Sequence, residues 1–302
     1  MTILYKYYSS YSENIFINPK LKLTPPSHLN DPFERKIPHG IEAIILESHL
    51  GRFITESQKA NNIHDSKEHT VNTLEKTLGL IGITAMSENP GSILMWSHYA
   101  DSHNGICIGY DISKINNEKM RLLEIDYSTK RFEPSDIIKD LQTLPSMIDT
   151  IIDKVVTTKS EQWSYENEHR YITKLNYANE LLITVDKSEE KSAIDFLESQ
   201  NQNKYLYDSL EITHKNNSTT IKAIIKNTID PFSVEKLMKY KNISFYKNIN
   251  QDCIKEIFIG CNSEIGVKDI LSVLKDKNLM NIKVNKYKAS DTEFKLEIIN
   301  NN

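Results

Sequence analysis

The segment LIGITAMSENPGSILMWSHYADSHNGICIGYD, residues 80–111, carries the densest structural pattern in the chain. The apolar run over residues 80–86 predicts a strand, and Asn89-Pro90-Gly91 predicts a turn. Ser92 can cap a short helix through Ala100, because its hydroxyl accepts hydrogen bonds from the exposed amides of the first turn. After a turn at Asn104-Gly105, the apolar run Ile106–Tyr110 predicts a further strand. This segment therefore predicts a strand, a short helix and a second strand in immediate succession.

Strands and helices also alternate on both sides of this segment. Further strands are predicted at Leu4–Tyr8, Phe16–Asn18, Leu122–Tyr127, Tyr165–Leu175, Thr219–Lys226, Ile254–Gly260, Ile282–Tyr287 and Phe294–Ile299. Helices are predicted from Gly40 to Leu78 around an exposed loop at Asn61–Glu68, at Ser135–Thr158 with a break near Pro145, at Ser192–Glu198, at Pro231–Lys239, and from Ser263-Glu264 to Asp276.

The mixture of elements predicts an α+β fold with a mixed, largely antiparallel sheet and helices packed against it. The chain shows no repeat of fixed period, which excludes solenoids and propellers. Residues 1–178 form the predicted catalytic core. Residues 179–302 are predicted to be a C-terminal α/β portion of the same domain or a small subdomain.

Composition places the chain among soluble globular proteins. Of its 302 residues 39% are hydrophobic and 26% are charged, and the net charge of -4 gives no sign of a nucleic-acid binder. Residues 1–10 are too polar for a signal peptide, and no apolar run approaches the roughly 18 residues of a membrane span. Cys107, Cys253 and Cys261 are widely separated, as expected in a reducing compartment. We therefore expect a cytoplasmic protein without a membrane partner.

Common metal and phosphate motifs are missing from the sequence. His98 and His103 lie five residues apart with Asp101 between them, but HExxH and CxxC patterns do not occur. A helix is predicted to end between the two histidines, so we expect hydrogen-bonding side chains there and no metal. The sequence also lacks the glycine-rich phosphate loops and the GxSxG nucleophile elbow.

The acidic run Tyr165-Glu166-Asn167-Glu168-His169-Arg170 holds the first candidate for chemistry. In a strand, Glu166, Glu168 and Arg170 would share one face at spacings of roughly 6.5 to 7 Å. Two close carboxylates suit the stabilisation of a positive centre, and an oxocarbenium ion in glycosyl transfer is the obvious case. The alternative is an exposed strand face with an ordinary ion pair.

Two further patterns have both structural and functional interpretations. The segment Asn30-Asp31-Pro32-Phe33-Glu34 is a turn with two acidic side chains, for which a structural role is sufficient. Trp96 and Tyr99 lie three residues apart on one helix face. They could be buried in the core, or they could form an aromatic floor for a nicotinamide or a nucleobase.

Short motifs follow one another in a specific order along most of the chain. They are Leu4-Tyr5-Lys6-Tyr7, the Leu29–Glu34 turn, Ser87 with Leu94–Ala100, Gly105–Asp111, Lys159 with Trp163, Tyr165–Arg170 and Ile254–Gly260. This order resembles a bacterial domain-of-unknown-function family, number 2971. The family as such implies no chemistry.

A remoter resemblance is to the ADP-ribosyltransferases. It rests on an early strand with a polar residue, a middle strand ending in Ser before an aromatic helix, and a late acidic strand. The resemblance implies that Glu168 is catalytic with Glu166 beside it. It implies NAD as substrate, with a binding set of Tyr5, Lys6, Asn30, Asp31, Ser87, Trp96, Tyr99 and Arg170. Lys6 departs from the family pattern, which has Arg or His at that position.

The leading hypothesis is thus an ADP-ribosyltransferase-like toxin or phage-defence effector. Its acceptor would be an unknown intracellular protein or nucleic acid, and a partner protein or antitoxin would control it. In this hypothesis Arg170 contacts a phosphate. One alternative is a non-enzymatic sensor or immunity module whose acidic face binds a basic protein. Another is a magnesium-dependent nuclease that uses Asp31, Glu34, Glu166 and Glu168.

Overall fold

The computed structural model describes residues 2–41, 43, 45, 68, 70–115, 118–138 and 144–299. The strands are β1 Ile3–Tyr8, β2 Lys20–Leu23, β3 Ile81–Ser87, β4 Ile106–Asp111, β5 Arg121–Glu124, β6 Asp126–Ser128, β7 Thr158–Ser160, β8 Glu168–Lys174, β9 Glu180–Asp186, β10 Leu210–Lys215, β11 Ser218–Ile224, β12 Ile243–Asn248, β13 Ile254–Ile259, β14 Lys283–Ala289 and β15 Leu296–Ile298. The α-helices are α1 Asn14–Ile17, α2 over 70–79, α3 Ile93–Tyr99, α4 Ser135–Ile138, α5 Leu144–Thr157, α6 Glu190–Gln200, α7 Pro231–Leu237 and α8 Val267–Asp276.

Eight strands form the larger sheet, in the order β15-β14-β13-β4-β1-β3-β8-β5. All neighbours in it are antiparallel except β13 and β14, which run parallel because α8 connects them. β4 lies inside the sheet, and each of its six residues is buried. The prediction of an α+β fold with a mixed, largely antiparallel sheet is confirmed.

The larger sheet is nearly divided between β1 and β3. These strands share a single register pair, Tyr5 with Ser87, whereas β1 pairs along its whole length with β4 and β3 along its whole length with β8. At Ile83, the neighbour of β3 on this side is Thr24 instead of β1. The backbones of Thr24 and Ile83 exchange two hydrogen bonds of 2.8 Å. The backbone groups at this point of β3 are thus satisfied without β1. A cleft opens where the two strands diverge.

A second, fully antiparallel sheet has the order β10-β11-β9-β12-β2. Its apolar face packs against α6 and α7, with Leu181, Ile183 and Phe245 among the buried residues. β2 belongs to this sheet although it precedes β3 in the chain, and β13 to β15 belong to the larger sheet although they come late. Both sheets therefore contain strands from both sides of residue 178.

The main predicted elements are present, but several boundaries are wrong. The strand predicted at Phe16–Asn18 is the short helix α1, whose Phe16 ring is fully buried. The strand predicted at Leu122–Tyr127 is two strands, because β5 pairs with β8 and β6 pairs with β7. β9, β10 and β12 were not predicted.

The C-terminal helix α8 begins later than Ser263-Glu264. Gly266 precedes its first turn, and the Gly266 backbone amide donates to the Asp269 carboxylate at 2.7 Å. An acidic side chain at this position stabilises the first turn of a helix, which accounts for the start at Val267.

The helical block predicted from Gly40 to Leu78 lies partly outside the described residues. Residues 41, 43, 45, 68 and 70–79 are helical. Except for Glu68, the loop predicted at Asn61–Glu68 falls outside what the structure describes. Helix α5 begins at Leu144, next to the break predicted near Pro145, and residues 139–143 between α4 and α5 lie outside what the structure describes.

Candidate ligand-binding cleft

A cleft of about 210 Å³ lies where β1 and β3 diverge. Its walls come from β1, β3, α3 and β8, from the 3-10 helix Glu161–Glu166, and from the turn that contains Asn30 and Asp31. Nearly all residues of the predicted site line this cleft: Tyr5, Lys6, Asn30, Asp31, Ser87, Tyr99, Glu166, Glu168 and Arg170. Residues that are far apart in the sequence are thus brought together by the pairing of β1, β3 and β8.

Trp96 is the exception among the predicted site residues. Its side chain is fully buried beneath α3, its indole Nε1 donates to the carbonyl of Pro90 at 2.7 Å, and it does not line the cleft. Tyr7 and Tyr287 pack edge-on against its ring. Of the two aromatic residues predicted to form a floor, only Tyr99 reaches the cleft, and Trp96 is a core residue that fixes the position of α3.

Arg170 is the central cation of a buried ionic cluster. Its Nε donates to Glu168 Oε1 at 2.7 Å, and its Nη2 donates to Glu168 Oε2 at 2.9 Å and also to Glu34 Oε1. Nη1 donates to the carbonyl of Val156 at 2.6 Å. Four of the five guanidinium N–H groups are therefore used within the protein. A phosphate could receive at most the one that remains.

Lys159 on β7 is the second cation of the cluster. Its ammonium lies 2.5 Å from Glu166 Oε2, 2.8 Å from Glu168 Oε2 and 3.7 Å from Glu34 Oε1. The ring of Trp163 lies 5.1 Å from the same Nζ, at cation–π distance. Lys159 thus holds the neighbouring carboxylates of Glu166 and Glu168 together with that of Glu34, which comes from a distant segment of the chain.

Glu166 reaches the cluster from a different element than predicted. It ends the 3-10 helix, Asn167 follows in the left-handed region at φ 42°, and β8 begins only at Glu168. The expected strand that would place Glu166 and Glu168 on one face is therefore wrong at its first residues. Both carboxylates nevertheless converge on Lys159, because the tight turn at Asn167 redirects the chain between them.

Side chains from α3 and β3 hold Glu166 in place. The hydroxyl of Tyr99 donates to Glu166 Oε1 at 2.7 Å, and the hydroxyl of Ser87 donates to the main-chain carbonyl of Glu166 at 2.6 Å. Asn30 donates in turn to the Tyr99 hydroxyl at 3.3 Å. Ser87, Tyr99 and Asn30 therefore position the carboxylate of Glu166.

The two glutamates differ in their electrostatics. Burial by itself would raise the pKa of Glu168, but the charges of Arg170 and Lys159 outweigh it and lower the pKa to about 2. Burial raises the pKa of Glu166, and Lys159 offsets this only in part. Glu168 thus stays ionised at any physiological pH, whereas Glu166 binds a proton more readily than an ordinary glutamate.

The cluster as a whole carries excess negative charge. Three carboxylates, from Glu34, Glu166 and Glu168, face the two cations Lys159 and Arg170. The difference is one negative charge. This balance favours a ligand with a cationic or neutral group at the floor of the cleft and disfavours a phosphate there.

The remaining predicted residues lie on the walls. Tyr5 lines the cleft with its ring, while its hydroxyl donates to Glu256 at 2.8 Å. Asp31 is buried and accepts from the amide of Phe33 at 2.8 Å, which is the predicted structural role in a turn. Lys6 donates to the carbonyl of Ala85 at 3.2 Å.

His98 and His103, which were not expected to bind a metal, lie in different surroundings. His98 Nδ1 lies 3.1 Å from the hydroxyl of Tyr165, whereas the His103 ring stacks on Trp96. Within the described ranges, no group of three or more His, Cys, Asp or Glu side chains is arranged to hold a metal ion. Asp31, Glu34, Glu166 and Glu168 all line the cleft, but Lys159 and Arg170 lie among the three glutamates. A metal at their centre would have to displace these cations.

Lys159, Glu34 and Trp163 are cleft residues that the predicted binding set does not include. No local pattern distinguishes Lys159, because its partners stand at positions 34, 166 and 168 and only folding brings them near. Glu34 belongs to the acidic turn of the sequence. The predicted site contains more acidic than basic residues. This excess is the one feature of the sequence that indicates a further buried cation at the site.

Comparison with known proteins identifies similarity in one part of the chain. No curated protein matches it, and no solved structure matches it. The resemblance to ADP-ribosyltransferases therefore stays a prediction. In the described part of the chain, no helix combines the length and the apolar character needed to cross a bilayer. Residues 95–171, which include Tyr99, Lys159 and the acidic segment, match the family described as "Protein of unknown function (DUF2971)".

Proposed function

We propose that the cleft binds NAD and that the protein transfers the ADP-ribosyl group to an acceptor or to water. The observation that carries this proposal is the buried carboxylate of Glu168, paired with Arg170 and Lys159, at the floor of a cleft walled by aromatic rings. A carboxylate in this state can stabilise the positive charge that develops on the anomeric carbon during glycosyl transfer.

The charge balance of the cleft supports NAD over an anionic ligand. The nicotinamide ring of NAD is cationic, and the cluster of Glu34, Glu166, Glu168, Lys159 and Arg170 carries one excess negative charge. The cavity of about 210 Å³ is too small for a whole dinucleotide, since drug-sized ligands occupy roughly 300–1,000 Å³. It would hold the nicotinamide end and leave the phosphates towards the mouth.

Each glutamate retains capacity to accept a further hydrogen bond. A carboxylate offers about four lone-pair positions. Glu168 uses three of its positions, for Nε and Nη2 of Arg170 and for Lys159, and Glu166 uses two, for Tyr99 and Lys159. A ribose hydroxyl could therefore donate to Glu168, as the stabilisation of an oxocarbenium ion requires.

The reaction follows from these roles. The bond between the anomeric carbon and the nicotinamide nitrogen breaks, and nicotinamide leaves with the electron pair. Glu168 stabilises the resulting cation, and the acceptor adds to the anomeric carbon while it loses a proton. Glu166 is the candidate base for that proton, because its raised pKa makes it a better proton acceptor than an ordinary glutamate.

The test is release of nicotinamide from NAD by the purified protein, with Glu168→Gln alongside. We expect release by the wild type and its loss in Glu168→Gln. Glu211→Gln is the matched control, since Glu211 is exposed and lies in the second sheet. The unfolding of each variant is measured in parallel. Undiminished release by folded Glu168→Gln would contradict the proposal, as would a wild type that neither releases nicotinamide nor melts at a higher temperature with NAD.

Arg170 keeps at most one N–H group for a ligand, and this favours a second candidate function. Four of the five N–H groups of Arg170 donate to other groups of the protein. The ionic cluster could therefore have a structural role in the cleft and take no part in a reaction. The protein would then be a non-enzymatic module that binds NAD, which differs from the alternative prediction of a sensor whose acidic face binds a basic protein. A rise in melting temperature with NAD but no nicotinamide release would favour this function.

A further inference from the structure

Two lysines line the cleft, and their surroundings differ. The ammonium of Lys159 contacts three carboxylates, and its neighbours Glu168 and Glu34 help to raise its pKa above the usual range despite burial. Lys6 donates to one main-chain carbonyl, that of Ala85, at 3.2 Å. Among the described residues no carboxylate lies within ion-pair distance of Lys6. Of the two amines in the cleft, one is therefore paired with carboxylates and the other is not.

The division of the larger sheet accounts for the position of Lys6. β1 and β3 share only the pair of Tyr5 and Ser87, and the side chain of Lys6 reaches across the gap to β3. The charged groups that face it are Glu168 from β8 and Lys22 from β2, and the Tyr8 ring lies 5.9 Å from its Nζ. Burial outweighs the attraction of Glu168 and lowers the pKa of Lys6 to about 8.

We infer that Lys6 is the reactive amine of the cleft and forms a Schiff base with a small aldehyde or ketone. An ammonium offers three N–H groups, and Ala85 takes one of them. Lys6 lines the cavity, so a ligand in the cavity can approach the remaining positions of Nζ even though the ammonium is shielded from bulk solvent. Lysines in such surroundings are the ones that act as Schiff-base residues.

The chemical step is an addition followed by loss of water. Lys6 first releases one proton to solvent, and its nitrogen lone pair attacks the carbonyl carbon to form a carbinolamine. The carbinolamine then loses its hydroxyl group and one proton as water and leaves the imine on Nζ. No oxidant or reductant is consumed. This reaction is separate from the proposed glycosyl transfer, because it uses Lys6 and does not need NAD.

The cleft restricts the ligand to small and uncharged carbonyl compounds. The cavity measures about 210 Å³, and the neighbouring cluster carries an excess of negative charge. Keto acids would be repelled by that charge. A short hydroxyaldehyde, such as an open-chain sugar fragment, fits both conditions, and the side chains of Asn30 and Ser87 could bind its hydroxyl groups.

The test is reductive trapping. The full-length protein is mixed with glycolaldehyde and cyanoborohydride at about pH 7.5, and labelled lysines are located by peptide mass mapping over time. Because the pKa of Lys6 is about 8 instead of 10.5, its neutral fraction at this pH is roughly two-hundredfold larger than that of an ordinary lysine. Allowing for restricted access, we expect Lys6 to be labelled at least about tenfold faster than the exposed Lys268. Lys159 is expected to remain unlabelled.

The Lys6→Arg variant separates reactivity from structure. Arginine keeps the charge and the hydrogen bond to Ala85 but forms no stable imine, so the fast label should disappear while the melting temperature stays close to that of the wild type. Labelling of Lys6 no faster than of Lys268 would overturn the inference and leave Lys6 as a bridge between the two strands. If Lys6→Arg still showed fast labelling, the reactive amine would be a different residue, and the inference would be overturned as well. Neither result depends on whether NAD is turned over.

Discussion

Arg170 and Glu168 lie two residues apart on the same face of β8 and are joined by two hydrogen bonds, from Nε to Oε1 at 2.7 Å and from Nη2 to Oε2 at 2.9 Å. This bidentate arrangement is the strongest geometry that the two groups can form. Both side chains are almost completely buried. Removal of one partner is therefore expected to cost more unfolding free energy than the intact pair contributes to stability.

Replacement of Arg170 by Met is expected to lower the free energy of unfolding by about 3–5 kcal/mol, because Glu168 and Glu34 would lose a buried cation. Urea unfolding at pH 7 measures the loss. Arg121→Met is the control, since Arg121 also makes a bidentate pair, with Asp153, but with more than half of its side chain exposed. Its loss should be below about 1 kcal/mol. Equal losses in the two variants would contradict the structural role of the buried cluster.

Acid should destabilise the protein partly through Glu168. The pKa of this group is about 2 in the folded protein and near its usual value of 4.5 when unfolded, so the unfolded state takes up the proton first. The contribution is complete above about pH 4.5 and is lost as the pH falls towards 2.

Urea unfolding between about pH 2 and pH 6 checks this dependence. Glu168→Gln should show a flatter decline of the unfolding free energy with falling pH than the wild type. Glu211 is exposed on the second sheet, and Glu211→Gln should follow the wild-type profile. If Glu168→Gln kept the wild-type slope, the lowered pKa of Glu168 would be refuted.

Removal of Lys159 should change how stability depends on pH, mainly through Glu166. Burial already raises the pKa of Glu166, and in Lys159→Met the cation that partly offsets this effect is lost, so the folded-state pKa of Glu166 would rise further. Groups shifted in this direction stabilise the folded state at low pH and lose that effect as the pH rises.

The loss of melting temperature caused by Lys159→Met, relative to the wild type, should therefore be smaller at pH 5 than at pH 8. Lys114→Met serves as control, because Lys114 makes an exposed ion pair with Asp252. It should show the pH profile of the wild type. A loss relative to the wild type that is equal at the two pH values, or larger at pH 5, would speak against the assigned ionic cluster.

Gly260 is required by a close backbone approach. A Cβ atom at this position would lie 2.0 Å from the carbonyl oxygen of His103, within the turn that follows α3. Gly260→Ala should therefore cost at least about 1–3 kcal/mol of unfolding free energy, as overpacking does. Gly79→Ala is the control, since a Cβ atom added there would meet nothing within 4 Å. That variant should match or slightly exceed the wild type in thermal unfolding, and comparable losses at both sites would count against the close approach.

Local patterns were sufficient for much of the fold. The run 80–111 predicted β3, α3 and β4 to within one or two residues, and Ser92 caps α3 with a hydrogen bond of 3.4 Å from the amide of Met95. Apolar periodicity and capping act over a few residues, so the sequence displays them directly. β12 was missed because its interior residues mix polar and apolar types and gain their stability from β9 and β2 on either side.

The sequence predicted most residues of the cleft, but it did not predict how their side chains are arranged. The sequence by itself determined that Glu166, Glu168 and Arg170 stand close together, that Tyr99 lies on a short helix, and that the fold is α+β. Only the tertiary structure decided that Lys159 and Glu34 complete the ionic cluster, that Trp96 belongs to the core, and that β1 leaves β3 after one register pair. The physical reason is that buried charges are paired across distant segments, and their partners are chosen by strand order rather than by neighbouring residues.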